Sequence, residues 1–253
     1  IPSTVIGIAD CAFSNSESLT NITIPANVKR IGYRAFDSCL ALSAIVLPSG
    51  LYDIGSFAFF NTGYYNNASN WENGVLYIGN HIISVEKDDV KGSLTIKNGV
   101  TYIPEDAFYY CNSLTSLTIP STVKIIYPAA FADCESLADI TLPDSGIAIG
   151  SGAFSGTAYY NNSSNWENGV LYIGNHLIKI EEFSGEYTVK DGTKSIADQA
   201  FVYTDITSIT IPASVEEIVA DTFTECRELT AINFAEENSN YSSVDGVFFN
   251  KNK

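Results

Sequence analysis

The chain carries two histidines, His81 and His176, and acid–base or nucleophilic chemistry would be looked for there first. They hold equivalent places in two near-identical segments. Four coils of the repeat set out below separate them, which at the strand spacing is ~20 Å. Two histidines that far apart share neither a metal nor a catalytic site. Each stands at a hairpin turn, where a solvated ring is expected. No His-x-x-x-His pair, nucleophile elbow, phosphate-cradling glycine loop or Glu-x-x-His run accompanies them. Ser–His and Cys–His catalysis therefore lack a partner. No catalytic residue, cofactor or metal is expected, and the chain reads as a non-enzyme.

Cys39, Cys111, Cys134 and Cys226 each lie three residues after a recurring Phe, in a slot that Ser16, Thr62, Thr157 and Thr204 fill elsewhere. A slot shared by Cys, Ser and Thr calls for a small buried side chain that meets turn backbone, not a tetrahedral zinc cluster. Cys111 and Cys134 fall in adjacent repeats, where stacked free thiols are favoured over a bridge. Cys11 is off this register, and five cysteines are no disulfide framework. The paired carboxylates Asp88-Asp89, Glu181-Glu182, Glu216-Glu217 and Glu236-Glu237 are adjacent in sequence, so on strands they point to opposite faces. They read as solvated surface; no calcium-binding loop is present.

Lys and Arg number 13 against 29 Asp and Glu, a net charge of −16. That field repels nucleic acid and anionic membrane surfaces. No apolar run approaches the ~20 residues of a membrane-spanning helix, and membrane insertion is not expected. Apolar residues make up 45% of the 253, enough for a sizeable core. Met is absent everywhere, and the repeats enter mid-coil at Ile1-Pro2 and stop at Lys253, as in a piece of a longer array.

Aromatic residues cluster in polar, Asn-rich surroundings. Residues 63–81, GYYNNASNWENGVLYIGNH, return as 158–176, AYYNNSSNWENGVLYIGNH, with 17 of 19 positions identical. Tyr64, Tyr65 and Trp71, with Tyr159, Tyr160 and Trp166, would anchor a protein or glycan partner if exposed. Otherwise they plug the place where each segment leaves the main body. Val75 to Ile78, Gly79-Asn80 and His81 to Val85 read as a β-hairpin, as do Val170 to Ile173, Gly174-Asn175 and His176 to Ile180. The inserts span about 63–87 and 158–182. A partial third copy covers 241–253, through Val244-Asp245-Gly246-Val247-Phe248-Phe249, and stops before its second strand.

The elements that must carry these residues follow from a repeat. Phe13, Phe36, Phe59, Phe108, Phe131, Phe154, Phe201 and Phe223 recur, seven of them behind Ala, and an Ile stands five residues before each. The steps are 23, 23, 49, 23, 23, 47 and 22 residues; the long ones hold two coils each, one of different sequence. Between anchors an apolar pattern at i, i+3 and i+5 recurs, as in Leu19-Ile22-Ile24 and Leu114-Leu117-Ile119, and Pro usually follows. Alternation marks a half-buried strand, and Pro ends it by withholding an N–H. One coil of ~23 residues cannot bury its own apolar face, but stacked coils can. The expected fold is mainly β, a single solenoid domain over 1–253 with a parallel strand ladder, inserted hairpins and little helix.

Leu-x-x-Leu-x-Ile at Leu114 to Ile119 is similar to the opening of a leucine-rich repeat. The full unit with Ile-Pro, Ile-Gly and Ala-Phe-x-x-Cys, as in LTNITIPANVKRIGYRAF from Leu19 to Phe36, resembles the BspA-like leucine-rich repeats of bacterial cell-surface proteins. The family's Asn at the ninth position appears once, as Asn27, and is replaced by Gly50, Thr122, Ser145 and Ser214 elsewhere. The resemblance implies a right-handed, curved solenoid, a surface or secreted location, and adhesion to host or matrix macromolecules.

One face remains for such a partner. The outward residues of the ladder are Thr23, Val46, Thr118, Thr141, Thr210 and Asn233, flanked by Asn21, Ala44, Ser116, Asp139, Ser208 and Ala231. The face is nearly uncharged, and concave solenoid faces are the usual binding surfaces of such folds. Thr is also simply a good exposed strand residue. The expected function is a surface-exposed adhesion or interaction module, a monomer binding a protein or glycoprotein. The alternatives are a structural spacer, or a carbohydrate-binding module using the insert aromatics.

Overall fold

The computed structural model describes residues 1–244 and 247–251. Asp245 and Gly246 of the third insert copy, with Asn252 and Lys253, lie outside the described residues. The chain forms a β-solenoid of ~23-residue coils that divides into two compact units, Ile1–Val90 and Lys91–Lys253. Helix is confined to one turn, Ala158–Asn161, and two 3-10 turns, Ala68–Asn70 and Ser163–Asn165, among the described residues.

In the first unit Asn21–Thr23 and Ala44–Val46 pair in parallel, with Ile22 opposite Ile45. Pro turns the chain at the end of each strand. The N–H of Val28 donates to the Pro25 carbonyl at 3.0 Å, and that of Leu51 to Pro48 at 3.3 Å. Two-residue strands Gly7–Ile8, Arg30–Ile31 and Asp53–Ile54 then build a second ladder in which Ile8, Ile31 and Ile54 are in register. The coils approach closely beside it: a Cβ on Gly55 would lie 2.5 Å from the Tyr33 nitrogen, so only hydrogen fits.

The Ala-Phe corner closes each coil. Phe13 and Phe36 stack with ring centroids 5.0 Å apart, and Phe36 and Phe59 at 5.2 Å, with planes within 3°. That is nearly the spacing of neighbouring strands. The corner has a ladder of its own, since the N–H of Phe13 donates to the Ala35 carbonyl and that of Phe36 to Ala58. Both flanks of the corner are left-handed. Cys11, Arg34 and Phe57, two residues before the rings, have φ of 55°, 51° and 60°, and Asn15, Ser38 and Asn61, two residues after, have 60°, 59° and 54°. Full burial of a ring such as Phe36, about 1.5–3 kcal/mol, works against the ~1–2 kcal/mol of each left-handed residue.

In the second unit the strand ladder comes in two stretches. Gly92–Thr95, Leu114–Thr118 and Asp139–Thr141 form one; Ser184–Thr188, Asp205–Ile211 and Ala231–Phe234 form the other. The coils with Gly92–Thr95 and Ser184–Thr188 are the ones of different sequence expected within the two long steps. The Ile ladder runs through Ile103, Ile126 and Ile149. Phe108, Phe131 and Phe154 stack at 4.9 and 5.7 Å; Phe201 and Phe223 lie 5.3 Å apart, tilted by 30°.

The inserts are built as three antiparallel strands: Trp71–Glu72, Val75–Ile78 and His81–Val85, and again Trp166–Glu167, Val170–Ile173 and His176–Ile180. In the second unit the last strand continues the solenoid. His176 pairs with Ser195 and Leu177 with Ile196, which in turn faces Ile218, so Leu177 takes an Ile position of the ladder. In the third copy Tyr241–Val244 pairs antiparallel with Val247–Asn250.

Candidate functional site

The predicted strand face exists in each unit. In the first, Asn21, Thr23, Ala44 and Val46 are exposed around the half-buried Ile22 and Ile45. In the second, two rows run across the strands. Ser116 aligns with Asp139, and Thr118 with Thr141, while Leu117 and Ile140 point inward. Ser208 aligns with Ala231, and Thr210 with Asn233. The rows also take in Ser93 and Thr95, and Glu186 and Thr188, residues that sequence reasoning missed. Their coils replace Pro with Lys97-Asn98-Gly99 and Lys190-Asp191-Gly192. The i, i+2 pairs Leu94-Ile96 and Tyr187-Val189 were the available signal. Glu186 adds a second carboxylate to the Asp139 already expected, so the face is sparsely charged rather than neutral.

The insert aromatics are half-buried and tied into their own segment. The hydroxyl of Tyr64 donates to the Tyr77 carbonyl and that of Tyr159 to Tyr172, both at 2.9 Å. The indole N–H of Trp71 donates to Tyr65 O at 2.8 Å, and that of Trp166 to Tyr160 O at 2.6 Å. Tyr65 and Tyr160 donate to Glu86 and Glu181, both at 3.1 Å, and meet their tryptophans edge-on at 5.2 and 5.1 Å. Burial first, then Glu181, pushes the Tyr160 hydroxyl up to about 12. The same constellation thus forms twice.

Around it the two copies differ. In the first unit Tyr65 meets Phe60 at 5.1 Å, Phe60 meets Phe57 at 5.7 Å, and Phe57 meets Tyr33 at 6.2 Å, all edge to face. The Arg34 guanidinium sits over Tyr33 at 5.2 Å and over Phe57 at 5.6 Å. Tyr33, Phe57 and Phe60 are 42%, 52% and 41% exposed. Five rings from Tyr33 to Trp71 thus form a row with its outer members in solvent. The run Phe57-Ala58-Phe59-Phe60 was the signal, masked because only Phe59 belongs to the repeat. In the other copy Gly152 and Ser155 stand where Phe57 and Phe60 do, counting from the insert.

The histidines correct the expectation of solvated rings. His81 and His176 are 4% and 1% exposed. Their Nε2 atoms bond the carbonyls of Pro48 at 3.0 Å and Pro143 at 2.9 Å, clasping each hairpin to the coil before it. Burial lowers both pKa values below the usual 6.5; the proline carbonyls pull the other way, as do Asp144 and Glu216 for His176. These rings are structural clasps.

No disulfide joins the five cysteines, and Cys39, Cys111 and Cys134 are buried. Cys39, Cys134 and Cys226 donate to the carbonyls of Phe13, Phe108 and Phe201, the anchors of the preceding coils, at 3.0–3.1 Å. Thr62, Thr157 and Thr204 use the slot differently, each donating to its own coil's Phe. The Cys134 thiol is held well above its ordinary pKa, first by its hydrogen bond with Cys111 and then by burial. Among the described residues no group of three or more His, Cys, Asp or Glu could hold a metal ion, and no helix is long and apolar enough to cross a membrane.

A family description of the BspA-type leucine-rich repeat region, in six copies, matches residues 1–88, 87–184 and 194–252. No curated protein matches the chain. Among solved structures, a leucine-rich cell-surface protein of Faecalibacterium prausnitzii A2-165 is 25% identical over 94% of this chain, with a TM-score of 0.39. The chain spans 60% of that protein's length. A leucine-rich repeat protein of T. pallidum is 26% identical over 65% of this chain and 77% of its own, with a TM-score of 0.34. One from Bacteroides ovatus is 25% identical over 92% of this chain and 54% of its own, with a TM-score of 0.30.

Proposed function

The chain belongs to the BspA-type leucine-rich repeat family, and from that premise we propose that it is a non-enzymatic interaction module of a bacterial surface that adheres to a host or matrix protein. The observation that carries this reading is the exposed row of Tyr33, Phe57 and Phe60 with Arg34 laid across it. Binding energy concentrates in Trp, Tyr and Arg anchors that a partner can desolvate, whereas Ser and Thr contribute little. A strand face rich in hydroxyls supplies complementary area; the aromatic row supplies the anchor. The negative field of the chain selects a partner with a neutral or basic contact patch.

The test is saturable binding of the chain to immobilised extracellular-matrix glycoproteins. Phe57→Ser with Phe60→Ser should weaken it at least tenfold, about 1.4 kcal/mol or more. Thr118→Lys with Thr141→Lys should weaken it less. If the lysine pair abolishes binding and the serine pair is silent, the strand face is the anchor instead. If no matrix protein binds, the spacer reading replaces this one.

A further inference from the structure

A cleft of about 230 Å³ opens on the second unit where the first carries its aromatic row. The replacement of ring-bearing residues by Gly152 and Ser155 leaves that space open. A Cβ on Gly152 would still find its nearest neighbour, the Ser155 hydroxyl, 3.5 Å away. Drug-sized ligands fill roughly 300–1,000 Å³, so this cleft admits something smaller, about one ring.

Its lining joins opposite charges to hydroxyls and an apolar wall. Lys179 reaches in and donates to the Gln199 carbonyl at 3.1 Å, which leaves further N–H groups on its ammonium. The Asp198 carboxylate accepts from the N–H groups of Ser151 and Gln199, while its Oδ1 is buried without a partner. Tyr160 closes one side, its hydroxyl already given to Glu181. Ile178 and Ala197 supply the apolar wall. An anionic ligand would meet Asp198 and the field of the whole chain; a cationic one would meet Lys179. A compact ligand with one apolar face and hydroxyls around its rim satisfies all of these groups.

We propose that this cleft is a subsite for a single neutral pyranose residue of a glycan. It does not depend on the aromatic row of the first unit and goes beyond protein adhesion. The sugar ring lies against Tyr160 and Ile178. Its hydroxyls accept from Lys179 and donate toward the Asp198 side and the backbone between Gly150 and Ser155.

Saturation-transfer NMR on the full chain tests this with the methyl glycosides of glucose, galactose and mannose and with N-acetylglucosamine, against sialic acid and glucosamine. At least one neutral pyranose should show saturation transfer with millimolar affinity, the charged sugars none. Ser155→Phe, which restores the other copy's ring, should abolish the signal. Lys179→Ser, the residue at the equivalent place in the other copy, should weaken it at least tenfold in a chain with unchanged circular dichroism. Tyr52→Ser, at an exposed ring of the first unit that belongs to neither surface, should leave it intact. The proposal is overturned if no neutral pyranose binds, if charged sugars bind equally well, or if neither cleft variant alters binding. Should Ser155→Phe fail to fold, Lys179→Ser decides alone. An array of host glycoprotein glycans beside microbial polysaccharides then identifies the source of the sugar.

Discussion

At the scale of single residues, burial decides what titrates. The folded pKa values of His81 and His176 lie below the unfolded value near 6.5, because the buried rings resist charging. The unfolded chain therefore takes up protons first as pH falls. The stabilisation from neutral rings is complete above pH ~6.5 and is lost progressively below it. The melting midpoint should fall between pH ~7 and ~5, before ordinary carboxylates titrate, and the fall should shrink in His81→Gln with His176→Gln. NMR titration of the two rings checks the sign directly: midpoints at or above 6.5 would return them to solvent. The same logic of burial ranks the Phe anchors. Phe131 is fully buried with rings on both sides, whereas Phe13 is half-buried and stacks on Phe36. Phe131→Ala should cost about 3–5 kcal/mol and Phe13→Ala clearly less, by denaturant unfolding.

At the scale of elements, the strands and rings were legible in the sequence and the corners were not. The Ile-x4-Phe spacing sets ladder and stack together, because side chains repeating every coil must meet their equivalents. Many of the left-handed corner positions leave no such mark. Cys11, Arg34, Asp106 and Ala129 hold φ of 51–55° without the Gly or Asn that usually signals it. Buried rings and corner hydrogen bonds impose the conformation there, so composition at the turn is free to vary. The burial of His81 and His176 was equally hidden, since the proline carbonyls that accept them lie 33 residues earlier. A cleft made by missing side chains leaves no motif at all. Gly156 is one corner where the residue does matter: φ is 74°, and a Cβ would collide with the Asp133 carboxylate. Gly156→Ala should therefore destabilise by more than the ~1–2 kcal/mol of left-handed strain. Ala129→Gly, relieved of that strain at φ 52°, should come out neutral to stabilising. Urea midpoints of the two variants distinguish a corner set by space from one set by backbone conformation.

At the scale of the whole molecule, charge acts against the fold that packing builds. With 29 acidic and 13 basic side chains, self-repulsion is spread over a surface that also carries exposed ion pairs, as Arg30 with Asp53 at 3.1 Å and Arg227 with Glu225 at 2.8 Å. Such pairs are worth ~0–1 kcal/mol each and are screened by salt. The better-placed pair, Lys194 with Glu216 at 2.7 Å, also receives the Gly146 N–H. Attraction within such pairs and repulsion among the excess carboxylates respond oppositely to ionic strength. The excess acts at longer range, so it should dominate at low salt. Raising NaCl from ~0.01 to ~0.15 M shortens the screening length from ~30 to ~8 Å and should raise the melting midpoint by several degrees. Lys194→Gln should lower the midpoint at both salt concentrations while leaving the sign of the salt effect unchanged. A midpoint that fell with salt would mean that the pairs, and not the net charge, govern the electrostatics of this solenoid.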